Sequence, residues 1–432
     1  MGAATGRVHD LLGIGIGPFN LGLACLAEPL ADLDAVFLDA REGFDWHPGL
    51  MLEDATIQVP FLADLVSLAD PTSPYSFLNH LKQAGRLYPF YIREDFNPLR
   101  AEYSAYCRWA SEQLDSLHWG REVVAVERGP AGDHYTVTAR TRTGTERWRT
   151  RRLVLGVGTV PSVPACVDPG LEPVLHTGDY LHRREELLAQ ESVTVLGSGQ
   201  SAAEVYRDLL ERAGAGGPRV DWITRSPRFF PMEYTKLTLE LTSPEYVDHF
   251  HGLDPARRDR LNREHTSLYK GISAELVDGI HELLYRRSVH GHPAGLLTTS
   301  TTLTGAARDD DGLVLELHDD ELGRSWRHRT GALVLGTGYR AEVPAFLDPV
   351  RDEIAWDAAG RYDVSREYAI DRDRRRIWVQ NAEVHTHGLT APDLGMGAYR
   401  NSVILRAVTG REVYPVESAI AFQTFGIPQE TA

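Results

Sequence analysis

Two short glycine turns carry the first chemical information in this chain. "GIGPFN" supplies Gly15, Gly17 and Asn20, and "GSGQSA" supplies Gly197, Gly199, Gln200, Ser201 and Ala202. Each follows an apolar run and precedes a helical pattern. One glycine permits the tight turn and a second lets backbone approach a pyrophosphate. The helix start adds unpaired N–H groups and the positive end of a dipole. Asn20 stands in place of a third glycine, and Ala202 gives the G-x-G-x-x-A variant. The strand ending "FLDA" puts Asp39 about twenty residues past the first turn, where a carboxylate can accept bonds from ribose hydroxyls. The strand after the second turn, "VDWITRS", ends instead at Thr224 and Arg225. An arginine there suits a 2′-phosphate, so NADPH is expected over NADH.

Two dinucleotide turns in one chain point to electrons passing from a nicotinamide to a flavin. Disulfide reduction would need paired cysteines, whereas Cys25, Cys107 and Cys166 are far apart and odd in number. They read as apolar fillers, and transfer to oxygen remains as the outcome.

The elements that must position these turns alternate along the chain. "VHDLLGIGIG", "FNLGLACLAEPLA" and "DAVFLDA" read as strand, helix and strand of a parallel sheet. A loop rich in proline and aromatics (residues 44 to 100) leads to a helical pattern in "RAEYSAYCRWASEQLDSL" and then a β-meander. A new strand, turn and helix begins at Val193, residues 230–290 are mostly helical and aromatic, and "GALVLGTGYR" returns as a core strand. The fold class is α/β, with two Rossmann-like domains, the second inserted in the first, and a small helical substrate region. Expected bounds are 1–190 and 331–432 for an FAD-binding domain and 191–330 for an NADPH-binding domain. The linkers are expected near Arg183 to Glu191 and Arg327 to Gly331.

With 432 residues, two or three domains are expected, and 42% hydrophobic against 25% charged residues is a globular balance. A net charge of −16 argues against a nucleic-acid surface. No apolar run is long enough to cross a bilayer, and "MGAATGRVHD" lacks the apolar stretch of a signal peptide, so a cytoplasmic, membrane-free protein is expected.

The stretches "GIGPFNLGLA", "FDWHPGLMLEDATIQVPFLADLVSLADPTSPYSFLNHL", "LGVGTVPSVP", "GSGQSAAEV", "LGTGYR" and "NAEVHTHGL" occur in this order over essentially the whole chain. Together the chain resembles the microbial N-hydroxylating flavoprotein monooxygenases of siderophore biosynthesis, which act on lysine, ornithine or diamines. The fingerprint of Baeyer–Villiger monooxygenases is not visible after "LGVGTVP". The resemblance implies that NADPH reduces FAD, that the flavin adds O2 as a C4a-hydroperoxide, and that the distal oxygen passes to a primary amine. NADP+ is expected to stay beside the flavin and keep water out. The substrate nitrogen is the nucleophile, so no side-chain nucleophile is required.

The resemblance further implies that Trp46, His47 and Gln58 line the flavin, that Gly388 and Leu389 approach its ring, and that Tyr339 stands at the domain junction. His385 and His387, spaced i, i+2, would share one face of an extended segment like a metal pair. No further ligand cluster completes a metal set in the sequence, and a hydrogen-bonded loop near the flavin is the reading taken. Homo-oligomers are common in the family and are expected here.

One departure bears on the substrate. Where the lysine and ornithine enzymes carry a lysine for the substrate's α-carboxylate, "VPFLADLVSL" has Ala63. A carboxylate in a water-poor pocket without a cation is costly, which favours a diamine such as putrescine or cadaverine. Leu239 replaces an asparagine that contacts the amino acid in the ornithine enzymes, and Glu240 is the candidate acceptor for the distal ammonium. Lys236 or Lys270 could restore the missing cation, which keeps L-lysine as an alternative. A flavoprotein NADPH oxidase or redox sensor is the alternative from another class.

Overall fold

Residues 4–213, 216–291 and 295–428 are described in the computed structural model. Residues 1–3, at the start of the N-terminal segment read above, lie outside them. The apolar runs form two parallel five-stranded sheets. The first has the spatial order Ile377–Val379, Leu153–Leu155, Leu11–Ile14, Ala35–Leu38 and Leu117–His118. Successive residues of a strand point to opposite faces, so both faces need cover. Leu11, Phe37, Val154 and Trp378 pack under the helices Pro18–Ala27, Arg100–Ser111 and Gly395–Thr409. Leu12, Val36, Leu38 and Leu153 pack against the antiparallel strands Glu122–Arg128, Tyr135–Thr141 and Gly144–Thr150.

The second sheet runs Val174–His176, Ala332–Leu335, Ser192–Leu196, Arg219–Ile223 and Leu297–Thr298. The helix Gln200–Arg212 buries Ala202, Ala203, Val205, Tyr206, Leu209 and Leu210 against one face, a stripe at helical spacing. Leu313, Leu315 and Leu317 of an antiparallel three-stranded sheet cover the other face.

The expected boundaries need correction. Ala332–Leu335 does not return to the first sheet; it is hydrogen-bonded beside Ser192–Leu196, and the return comes at Ile377–Val379. Val174–His176 likewise belongs to the second sheet, and Arg183 lies inside the helix Tyr180–Leu188, not in a linker. The chain changes sheets through an antiparallel ribbon of Val160–Pro161 with Tyr339–Arg340. The two "LG-x-G" stretches look alike because each serves its own dinucleotide turn. A side-chain carbon on Gly15 would meet the Gly156 carbonyl oxygen at 2.5 Å, and one on Gly197 would meet that of Gly336 at 2.1 Å.

The segment 230–290 forms the helices Lys236–Leu239, Pro244–Gly252, Pro255–Glu264, Thr266–Tyr269 and Ala274–Val289. Thr235, Ser243 and Asp254 start the first three by accepting amide hydrogen bonds with their side chains. Among the described residues no helix is long and apolar enough to cross a membrane.

Candidate active site

The first glycine turn opens at Gly15, whose φ of 87° and contact with Gly156 leave no room for a side chain. Gly17 stands at the start of the helix Pro18–Ala27 with open space beside it, and no side chain caps that helix. Free helix-start amides facing open space are what a pyrophosphate requires.

Asn20 does something other than expected. It is fully buried, its Nδ2 donates to the carbonyls of Gly15 (2.8 Å) and Ile14 (3.4 Å), and its Oδ1 accepts from Gln380 Nε2 at 2.7 Å. With both ends of the amide used, Asn20 braces the turn and does not face a nucleotide. Asp39 sits at the end of the next strand. Its Oδ2 accepts from the Ile16 amide (2.7 Å) and Arg41 Nη2 (2.8 Å), and its Oδ1 from the Arg41 amide and Nε. Burial pushes the Asp39 carboxyl up, but the Arg41 bonds outweigh it and hold the group below its usual range. Arg41, two residues past the acid, went unread in the sequence.

Trp46 packs on Tyr103 at 5.1 Å between ring centres, and His47 follows in a left-handed conformation, φ 51°. Gly49 lets this loop reach the second sheet's side: a side-chain carbon there would lie 1.8 Å from the Gly178 carbonyl oxygen. Tyr339 stands between the sheets, 6.0 Å from the His47 ring and 4.8 Å from that of His176. Enclosing protein and the Arg100 and Arg41 cations push the His47 pKa down, keeping the ring neutral, although it retains an open face. Gln58 Nε2 is buried without a hydrogen-bond partner, an orphan donor that a bound group can satisfy.

The second turn repeats the pattern. Gly197 has φ 135° and Gly199 begins the helix Gln200–Arg212 without a side-chain cap. The Gln200 side chain is internal, donating to Glu204 at 2.9 Å and accepting from the Ser273 amide at 2.8 Å. Ser201 Oγ accepts from Thr177 Oγ1 at 3.3 Å. Both side chains therefore brace the turn. Arg225 is exposed at the strand end. Lys270 lies near it, its ammonium disfavoured by burial and by the Arg225 charge.

The "HTHG" segment is not extended. Val384–His387 is a helical turn, so the face-sharing argument fails. His385 Nε2 lies 2.7 Å from the Tyr362 carbonyl oxygen and His387 Nε2 lies 3.3 Å from that of Arg366. Among the described residues no group of three or more His, Cys, Asp or Glu is placed to hold a metal ion. Gly388, φ 68°, faces the Phe250 ring, and Leu389 is buried. Behind them Arg400 and Glu383 form a buried ion pair at 2.8 Å, and Arg400 Nη2 also donates to the carbonyls of Thr390 and Ala391. Neither residue stood out in the sequence, because a charged pair looks solvated until its burial is seen.

Ala63 is buried, with 6% of its surface accessible, against the loop before the last helix. Leu239 is more exposed than a pocket wall requires, at 37%. Glu240 is turned toward the C-terminal segment, where it accepts from the amide and Nε2 of Gln423 at 2.9 and 3.0 Å. It is thus already partnered, which corrects the expectation that it waits for an ammonium. Lys236 is exposed, and Lys270 lies near Arg225.

This geometry agrees with comparisons to known proteins. Residues 7–341 match the family model described as L-lysine 6-monooxygenase/L-ornithine 5-monooxygenase. The chain is 48% identical to a putrescine N-hydroxylase of Shewanella oneidensis, over 97% of this chain and 84% of that protein. It superposes with TM-score 0.96 and 52% identity on the FAD-bound cadaverine monooxygenase of desferrioxamine biosynthesis from Erwinia amylovora, covering 98% and 100% of the two chains. An ornithine N-hydroxylase from Kutzneria, solved with FAD, NADP+ and L-ornithine, gives TM-score 0.87 at 30% identity over 94% and 99%. The chain belongs to the L-lysine 6-monooxygenase/L-ornithine 5-monooxygenase family and is a flavin-dependent N-hydroxylating monooxygenase that uses FAD and NADPH.

Proposed function

We propose that this enzyme N-hydroxylates a primary aliphatic diamine, putrescine or cadaverine, for hydroxamate siderophore synthesis. The observation that carries the reading is Ala63, buried at the position where the amino-acid enzymes carry a lysine for the substrate carboxylate. An amino-acid carboxylate there would be unpaired in a water-poor space. The names borne by the Shewanella and Erwinia relatives, a putrescine and a cadaverine enzyme, support the same reading.

Residues on both sheets divide the work. Gly15 and Gly17 would give FAD its pyrophosphate turn, Asp39, held by Ile16 and Arg41, would shape the turn beside its ribose, and Trp46, His47, Gln58, Gly388 and Leu389 would enclose its ring. Gly197 and Gly199 would hold the NADPH pyrophosphate, and Arg225 would meet its 2′-phosphate. Tyr339 joins the two sites. A bound FAD would supply the redox chemistry between NADPH and O2, in which one oxygen atom goes to the amine and the other to water. The chain contributes position and dryness, since the attacking amine must be neutral and exclusion of water disfavours its charged form. We place the enzyme in the cytoplasm as a homo-oligomer. The exposed Tyr88, Tyr91 and Ile92 share one face of the helix Leu87–Arg93, an apolar face suited to a second copy.

The test is hydroxylamine formed per NADPH consumed, with added FAD, across putrescine, cadaverine, lysine and ornithine. Coupled turnover on a diamine alone is expected. Coupled turnover on lysine overturns the reading, and peroxide with every amine indicates an NADPH oxidase instead.

A further inference from the structure

We infer that Asp393 accepts the far ammonium of the diamine and so makes a second positive charge a condition for good binding. The inference rests on the diamine reading above and supplies the acceptor that Glu240 does not.

Asp393 lies in the loop between the Gly388–Thr390 turn and the helix Gly395–Thr409. A side-chain carbon placed on Gly395 would sit 3.0 Å from Asp393 Oδ1 and 3.8 Å from Ala63 Cβ. The carboxylate and Ala63 therefore border one small space, which a glycine keeps clear. That space adjoins the Ala63 side chain. With alanine there, the cation of the amino-acid enzymes is gone and an anion borders its place.

The carboxylate has no ion-pair partner among the described residues. Arg400 is the cation that acts on it, yet Arg400 is committed to Glu383 and to two carbonyl oxygens. From the substrate region, Tyr234 faces it closely enough for the negative charge to push the phenol's pKa up, after burial. Asp393 is enclosed by protein while keeping some accessible surface, the state of a group at the bottom of a cleft. An unpaired carboxylate in such a place is costly, and burial raises its pKa. An arriving ammonium offsets that cost with a charge-assisted hydrogen bond. A diamine with one neutral and one protonated end meets both demands of the site.

Asp393 also receives the Met396 amide at 3.1 Å and so helps start the last helix. Asparagine can keep that hydrogen bond while losing the charge, which makes Asp393→Asn the discriminating variant. With FAD-loaded enzyme and NADPH, hydroxylamine formation is measured on 1,4-diaminobutane, 1,5-diaminopentane and the monoamines of equal length. The loss of a charged hydrogen bond predicts KM for the diamines about tenfold higher or more, with little change for monoamines. Asp393→Glu should recover part of the preference. FAD content and melting temperature equal to wild type show that the helix start survives. A diamine KM within about twofold of wild type overturns the assignment. In the unmodified enzyme, monoamines should bind about tenfold or more weaker than diamines, and equal KM values overturn it without any variant. If wild type couples to diamines and Asp393→Asn is silent, the assignment alone fails. If wild type couples only to an amino acid, the diamine reading fails and takes the assignment with it.

Discussion

Arg100 and Glu204 meet in a two-point ion pair, Nη2 to Oε1 at 2.7 Å and Nη1 to Oε2 at 2.8 Å, that joins a helix of the first sheet to the helix behind the second dinucleotide turn. Both side chains are largely buried, and Gln200 extends the contact from Glu204 to the Ser273 amide. The pair therefore ties the first sheet's helix to the second glycine turn and to the helical segment 230–290.

Removing one partner of such a pair strands the other charge. Glu204→Ala should cost about 3–5 kcal/mol of stability. It should also slow flavin reduction by NADPH more than it changes the diamine KM. Denaturant unfolding and anaerobic stopped-flow reduction check both parts. Unchanged reduction would mean that the pair supports the fold without setting the relation of the two sites.

Arg225 makes a prediction about coenzyme choice. It is exposed at the strand end, with Lys270 nearby and no carboxylate within ion-pair distance of either among the described residues. Two free cations suit a dianionic 2′-phosphate. Loss of one charge-assisted contact is worth about 1.5–3 kcal/mol, so Arg225→Ala should raise KM for NADPH about tenfold to a hundredfold and leave NADH nearly unchanged. Steady-state kinetics with both coenzymes decide it.

Much of this was legible in the sequence because glycine turns have a geometric cause. Gly15 and Gly197 are required by the carbonyls of Gly156 and Gly336, and such a requirement leaves its mark in residue type. The sheet membership of Ala332–Leu335 was not legible, because two strands that end in the same glycine turn look alike until their neighbours are known. Side-chain partners were the least legible. Asn20 and Gln200 read as nucleotide contacts, but their amides are used inside the protein. Asp393 gave no signal, since its significance lies in facing Ala63 across 330 residues of sequence.

Buried histidines set the acid limit. His176, His251, His385 and His387 all have pKa values lowered, chiefly by burial. A group whose folded pKa lies below its unfolded value binds fewer protons folded than unfolded once pH drops through the unfolded value near 6.5. Their contribution is thus complete above that value and is lost as the medium turns more acidic. The melting temperature should fall from about pH 7.5 to about pH 5, and His387→Gln should flatten part of the slope. A flat profile would contradict the sign.

Ala63→Lys tests the polarity of the substrate space. The new ammonium would enter the room shared with the Asp393 carboxylate, where the nearest partner is that anion. Paired internally, the lysine both fills the space and removes the acceptor for a diamine. Diamine kcat/KM should fall about tenfold or more, judged from the strength of a charged hydrogen bond. Amino-acid turnover should gain little, because the lysine is neutralised before a substrate carboxylate arrives. Joining Ala63→Lys with Asp393→Asn frees the cation, and lysine or ornithine turnover should then rise above that of either single variant. Undiminished diamine kinetics in Ala63→Lys, with FAD content intact, would show that residue 63 does not face the substrate.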